Sequence, residues 1–205
     1  MQSTRTLPAS YHLHGTLDLS QNRQALIWLN LASIVLVGVF GWLTLQYIAA
    51  VRPSLPTVQI NLNGWDLLIY IGLLVLAMLG TIVLHELIHG AFFWLYTRAQ
   101  AVYGFKGIYA YAAAPGWYIP RYQYTITALA PLVCITLAGA LLVLVVPAAI
   151  IFWVAVVVVA NAAGATGDLA ITAWLLTQPR GTLVHDTGDA MMIYQPAPSP
   201  ADSHG

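Results

Sequence analysis

The sequence has very little charge. Of its 205 residues, 7% are Asp, Glu, Lys or Arg, whereas 60% are hydrophobic, and the mean hydropathy is +0.77. Soluble globular domains carry about 25% charged residues, so this composition excludes an ordinary soluble enzyme and indicates several membrane-spanning segments. The net charge is zero. No basic surface for nucleic acid is therefore expected, and no nucleic-acid partner.

Two residue types are nearly absent, and each absence narrows the chemistry. Cys134 is the only cysteine, which excludes a disulfide framework and a cysteine-based zinc site. Glu86 is the only glutamate. The first 24 residues are polar and lack the hydrophobic stretch of a signal peptide, so the first apolar run is expected to remain as an anchor.

The long apolar runs predict an all-α polytopic membrane protein with about four transmembrane helices. The predicted spans cover residues 25–51, 65–96, 124–146 and 147–178, with Pro147 dividing the last two. They form a membrane-embedded domain of residues 25–178. A polar N-terminal segment (1–24) and a polar, partly disordered C-terminal tail (179–205) flank it.

The loop between the second and third spans, residues 97–123, is rich in Gly, Pro and Tyr. Residues 102–105 and 108–112 are typical of short strands, and Ala114-Pro115-Gly116 of a turn. We expect a short β-hairpin-like or re-entrant element at the membrane surface. Its exposed strand edge could pair with an extended peptide substrate, or the element could be a simple connector. Leu13, Thr16 and Leu17 could likewise belong to a short strand or an interfacial turn.

The positive charges predict the orientation in the membrane. Four spans place both termini on one side, and that side carries six of the seven basic residues: Arg5, Arg23, Arg98, Lys106, Arg121 and Arg180. The opposite side has only Arg52. Because cytoplasmic loops are enriched in Lys and Arg, both termini are expected in the cytoplasm of a multi-pass protein of the cell membrane, in a bacterium the plasma membrane.

The second predicted span contains the motif His85-Glu86-Leu87-Ile88-His89 near its far end. On a helix, residues four apart project from the same face, so both imidazoles can bind one metal ion. Glu86 lies beside them and can accept a proton from a metal-bound water. Ionisable side chains are costly inside a membrane, and the motif therefore indicates a functional site.

A catalytic zinc site usually has three protein ligands. No second glutamate exists, and Leu95 stands where an extended motif would carry a third histidine. His85 and Asp168 each lie roughly 30 Å along their predicted helices, at the same membrane depth. Asp168 is therefore the expected third ligand. The C-terminal tail offers alternatives, namely His185, Asp186 and Asp189.

The expected chemistry is metal-assisted hydrolysis. One zinc ion per chain, held by His85, His89 and Asp168, would activate a water, and Glu86 would act as the general base. Asn161 could bind the substrate backbone or the oxyanion, or could make an interhelical hydrogen bond. Two histidines and a carboxylate suit zinc best, although another divalent ion is possible.

The motif H-E-L-I-H is followed by Ala128-Leu129-Ala130-Pro131, then by Asn161 and by Gly167-Asp168. In this order they resemble the bacterial integral-membrane putative zincin peptidase family, over roughly residues 25–178. The pattern is also similar to site-2 protease-type intramembrane zinc metalloproteases. There the ligand Asp usually precedes a glycine, whereas here Gly167 precedes Asp168. The resemblance implies peptidase activity without identifying a substrate.

The leading hypothesis is a membrane-embedded zinc endopeptidase that cuts a transmembrane or membrane-associated polypeptide. The alternative is a non-catalytic metal-binding adaptor or sensor, against which the intact Glu86 argues. A transporter is disfavoured because four spans show no internal repeat. The partners expected are the lipid bilayer and a membrane protein or peptide substrate. The sequence does not predict the oligomeric state.

Overall fold

The computed structural model describes residues 2–17, 23–55, 63–105, 107, 109–188 and 190–197. They form five helices: α1 (Arg23–Val51), α2 (Gly64–Thr97), α3 (Arg121–Val145), α4 (Ala148–Gly164) and α5 (Thr166–Thr177). They also form six strands: β1 (Tyr11–Leu17), β2 (Val102–Phe105), β3 (Ala110–Ala113), β4 (Ile119–Pro120), β5 (Leu183–Asp186) and β6 (Met191–Pro196). The predicted helical architecture is confirmed in outline. The description "all-α" is wrong, because the strands make two small antiparallel sheets.

Within the described residues, three helices (α1, α2 and α3) are each long and apolar enough to cross a membrane. Together, α4 and α5 form a fourth candidate span, bent by 44°. The continuous helix expected over 147–178 is thus two helices that meet at Ala165. There the Thr166 hydroxyl donates to the Ala163 carbonyl at 2.6 Å, a back-bond that commonly accompanies helix bending.

The α2 helix carries the predicted metal-binding motif. Asn63 precedes the helix, and its side-chain oxygen accepts the Asp66 N–H at 3.1 Å and so caps the first turn. The first part of α2 is largely exposed, as expected of a lipid-facing helix. From residue 81 onward, buried positions recur every four residues, at Thr81, His85, His89, Phe93 and Thr97, and Gly90 is buried beside His89. This spacing defines one buried face, and both motif histidines lie on it.

The chain divides into two compact units. The first comprises Met1–Ile27, Glu86–Ala130 and Asp168–Gly205, and the second comprises Trp28–His85 and Pro131–Gly167.

The first unit contains a four-stranded sheet in the order β1-β6-β5-β4. In it, β1 near the N-terminus pairs with the last strand, with Leu17 opposite Met191. Met191 and Ile193 alternate with less buried neighbours along β6 and join a core that includes Phe93 and Leu175. Residues 13–17 are thus a strand. The disorder predicted for the end of the tail falls on residues 198–205, which lie outside the described residues.

The second unit is helical. Its core is formed by Val143, Ile151 and Val154. The Arg52 guanidinium donates to the carbonyls of Val143, Leu144 and Val146 at 3.0, 3.2 and 3.4 Å. These carbonyls lie at the C-terminal end of α3, where no intrahelical N–H groups remain to pair with them. The only arginine assigned to the outer side of the membrane is therefore a helix cap that also complements the helix dipole.

Candidate metal centre

The two motif histidines lie one turn apart on the buried face of α2, with His85 8% and His89 7% exposed. Glu86 follows His85 directly and is half-buried. Two imidazoles and a carboxylate are thus withdrawn from solvent on one short stretch of an apolar helix. Such groups need partners, because burying an unpaired polar group costs free energy.

Each histidine uses its Nδ1 atom for a hydrogen bond to an oxygen. His85 Nδ1 lies 2.9 Å from Asn161 Oδ1, and Asn161 Nδ2 donates to the Pro131 carbonyl at 3.2 Å. His89 Nδ1 lies 2.9 Å from the Thr127 carbonyl oxygen. Because both partner oxygens only accept, Nδ1 carries the hydrogen in both rings. In the neutral rings the lone pair that a metal ion requires then lies on Nε2.

Asp168 lies in the first turn of α5. Its Oδ1 atom is 3.4 Å from His89 Nε2. With the hydrogen on Nδ1, two lone pairs would face each other across this gap unless a cation, either a proton or a metal ion, lies between them. Zinc bonds of about 2.0–2.2 Å in tetrahedral geometry set neighbouring ligand atoms roughly 3.3–3.5 Å apart. The observed separation fits this spacing.

The predicted ligand set forms one group. Ligand atoms of His85, His89 and Asp168 all lie within 4.8 Å of one another. Across the part of the chain that the structure describes, this is the only group of three or more His, Cys, Asp or Glu side chains with such spacing. These three residues could hold a metal ion, and the donor set of two imidazoles and one carboxylate suits zinc.

A family model described as "Putative zincin peptidase" matches residues 78–183, just over half of the chain, including all three candidate ligands and Glu86. The chain belongs to this zincin peptidase family. No curated protein and no solved structure matches this chain. Membership points to zinc as the metal and to a metallopeptidase as the class of enzyme. The narrower likeness to site-2 proteases stays a prediction.

The alternative third ligands have other partners. His185 Nδ1 lies 3.1 Å from the Trp117 carbonyl, and its ring stacks on Tyr118 with centroids 5.0 Å apart. Asp186 accepts the Tyr124 hydroxyl at 2.6 Å and the Gly188 N–H at 2.8 Å. Neither residue joins the three-residue group. Asp189 lies outside the described residues. The geometry therefore favours Asp168.

Burial raises the pKa of the Asp186 carboxyl, an effect that the Tyr124 hydroxyl, the Gly188 N–H and two nearby histidines partly offset. The unfolded chain therefore releases this proton at lower pH than the folded protein does. Stability should fall as pH rises from the unfolded pKa to the folded pKa, and should then level off. In Asp186→Asn this contribution of residue 186 to the pH dependence of stability should disappear.

Thermal unfolding of both proteins in detergent, from pH 3.5 upward, checks this expectation. A chelator should be present, because metal binding has a pH dependence of its own. The stability of the wild type relative to Asp186→Asn should be greatest at the acidic end and should decline across the carboxyl range. A pH-independent difference would contradict the assigned cause.

Asn161 was expected to touch the substrate or to make an interhelical hydrogen bond. Its side chain is 1% exposed, and its amide oxygen and nitrogen are engaged with His85 and Pro131. The amide could reach a substrate only by giving up one of these hydrogen bonds. The observed contacts therefore favour the second interpretation, in which Asn161 makes interhelical hydrogen bonds and holds His85 in place.

The hairpin predicted between the second and third spans is present, with Val102 of β2 opposite Ala113 of β3. It docks on α2 beside the metal centre: a Cβ added to Gly90 would overlap the Tyr103 hydroxyl oxygen. Only glycine leaves room for that ring in its observed position. The sequence did not predict that the Thr127 carbonyl accepts from His89 or that Tyr103 packs on α2. Any residue type can supply a backbone carbonyl, and a glycine after the motif only suggests close packing.

Proposed function

We propose that this protein is a membrane-embedded, zinc-dependent endopeptidase that cuts a transmembrane or membrane-associated polypeptide. The observation that carries the proposal is the group His85, His89 and Asp168, whose ligand atoms lie within 4.8 Å of one another. Both histidines belong to a helix apolar enough to span a membrane. A peptide bond at this site would be cut beside or within the bilayer.

A zinc ion bound by these three residues would supply a Lewis acid that lowers the pKa of water to about 7 and polarises a carbonyl. Glu86 accepts the proton of the attacking water and passes it to the departing amine. Both histidines would bind the metal through Nε2, because their Nδ1 hydrogens are donated to Asn161 and Thr127. In this proposal Asn161 positions His85 and does not contact the substrate.

The outer edge of β2 is the proposed contact for an extended peptide. Within the described residues β2 pairs only with β3, so its other edge presents unpaired backbone groups. Its side chains Val102, Tyr103 and Phe105 are 48%, 49% and 71% exposed. Because Tyr103 rests on Gly90, directly after His89, a peptide added to this edge by strand pairing would pass close to the motif.

The test is cleavage by the purified protein in liposomes, with a panel of single-span peptides and with casein. We expect new peptide ends in mass spectra, complete loss of cleavage after removal of the metal with 1,10-phenanthroline, and recovery on addition of zinc. Stoichiometric zinc binding without cleavage of any peptide would instead favour a metal-binding adaptor or sensor.

A further inference from the structure

We propose that Pro131 is a positioning residue that orients both metal-binding histidines through two backbone carbonyls of α3. The inference rests on the metal-binding role proposed above for His85 and His89. Pro131 lies inside α3. Its two effects, a missing N–H and a carbonyl held in a fixed place, act on different histidines.

The first effect concerns His89. In an α-helix, the carbonyl of residue 127 accepts the N–H of residue 131. Proline has no N–H, and its ring pushes the carbonyl four residues earlier out of the helical ladder. The Thr127 carbonyl instead accepts the His89 Nδ1 hydrogen at 2.9 Å. The Thr127 hydroxyl donates to the Gln123 carbonyl at 2.9 Å, so it does not compete for this position.

The second effect concerns His85. The Pro131 carbonyl accepts Asn161 Nδ2 at 3.2 Å, and this bond turns the amide oxygen of Asn161 towards His85 Nδ1, 2.9 Å away. Asn161 and Thr127 are each 1% exposed, so water cannot readily replace either acceptor. One turn of α3, residues 127–131, therefore sets the tautomer of both rings.

The hydrogen bond from His89 to the Thr127 carbonyl depends on proline at position 131. Any other residue at position 131 would supply an N–H that competes with His89 for the Thr127 carbonyl and draws this carbonyl back towards the helix, which weakens the hydrogen bond to His89 Nδ1. Partners that orient metal ligands in this way are worth about 10- to 100-fold in metal affinity. A proline that served only to bend α3 would have no specific effect on the tautomer of His89.

The experiment compares wild type, Pro131→Ala and Asn161→Leu. Alanine favours helix, so Pro131→Ala should keep α3 intact. It restores the N–H at position 131 but keeps the carbonyl, and so should disturb only His89. Asn161→Leu should disturb only His85. Nitrogen NMR of ¹⁵N-histidine-labelled, metal-free protein at about pH 9, where histidines are neutral, reports the tautomer of each ring. His85→Gln and His89→Gln assign the signals.

We expect both rings to carry their hydrogen on Nδ1 in the wild type. In Pro131→Ala the His89 signals should move towards the Nε2–H form while those of His85 stay. Zinc affinity, measured by competition with a chromophoric chelator, should fall about 10- to 100-fold. An unchanged His89 tautomer would overturn the proposal even if the affinity fell, because proline would then act through helix shape. The tautomer is read without metal or substrate, so a failure of the peptidase proposal leaves this result interpretable.

Discussion

Glu86→Gln should reduce peptide hydrolysis by about 10²- to 10⁴-fold, the range that a general base contributes, while the zinc content stays unchanged. Glutamine keeps the size and polarity of the side chain but cannot accept a proton from water. The metal stays because His85, His89 and Asp168 form the proposed ligand set without Glu86. The measurement is the rate of cleavage in liposomes, with metal determined on the same preparation by elemental mass spectrometry.

The matched control is Asp66→Asn, which makes the same acid-to-amide change on the same helix. Asp66 lies in the first turn of α2, roughly 30 Å from Glu86 along the axis, so this variant should keep wild-type activity. Glu86 is the only glutamate in the chain, and no neighbouring glutamate can replace it. Full activity in Glu86→Gln would remove Glu86 from the mechanism and would leave the proton acceptor to be found elsewhere.

Asp168→Ala should lose most of the bound metal. The wild type should hold about one zinc per chain, as expected of a three-ligand site. The variant loses a direct ligand, so its affinity should fall by more than the roughly 10- to 100-fold that an outer partner is worth. The 3.4 Å separation between Asp168 Oδ1 and His89 Nε2 is the geometric reason. Elemental mass spectrometry and chelator competition measure the effect.

Asp186→Asn is the control for Asp168→Ala, since Asp186 is the other acid that was a candidate ligand within the described residues. Its carboxylate is held by Tyr124 and Gly188, so zinc content should be unaffected. Zinc retained by Asp168→Ala and lost from Asp186→Asn would move the third ligand to β5. A wild type that binds no zinc even after reconstitution would defeat the hydrolase proposal itself.

Much of the helical architecture could be predicted from the sequence, because a bilayer imposes a length and a composition on any helix that crosses it. The apolar runs lie within the observed helices α1, α2 and α3. The bend at Ala165 was not predicted, because no proline lies within residues 148–178 and the bend accompanies a local back-bond of Thr166. The pairing of β1 with β6 was equally hidden, since the partners are near opposite ends of the chain.

The candidate site also has features that could be predicted from the sequence and features that could not. The spacing of His85 and His89 predicts one shared face of a helix, and counting residues along two helices placed Asp168 at the same depth. No count of residues could predict that Asn161 would turn its amide towards His85, or that His89 would reach the Thr127 carbonyl. Those contacts depend on the packing of three helices, and packing is not periodic in the sequence.

The sequence by itself determined that the chain has helices long and apolar enough to span a membrane, and that one of them carries two histidines and a glutamate at the spacing of a metal-binding motif, because hydrophobic length and helical spacing are local properties. The tertiary structure alone decided which acid meets the histidines, which nitrogen of each ring is left for a metal, and how the ends of the chain form a sheet. Each of these depends on atoms far apart in sequence, and their meeting is set by the packing of side chains and by the need to pair buried polar groups.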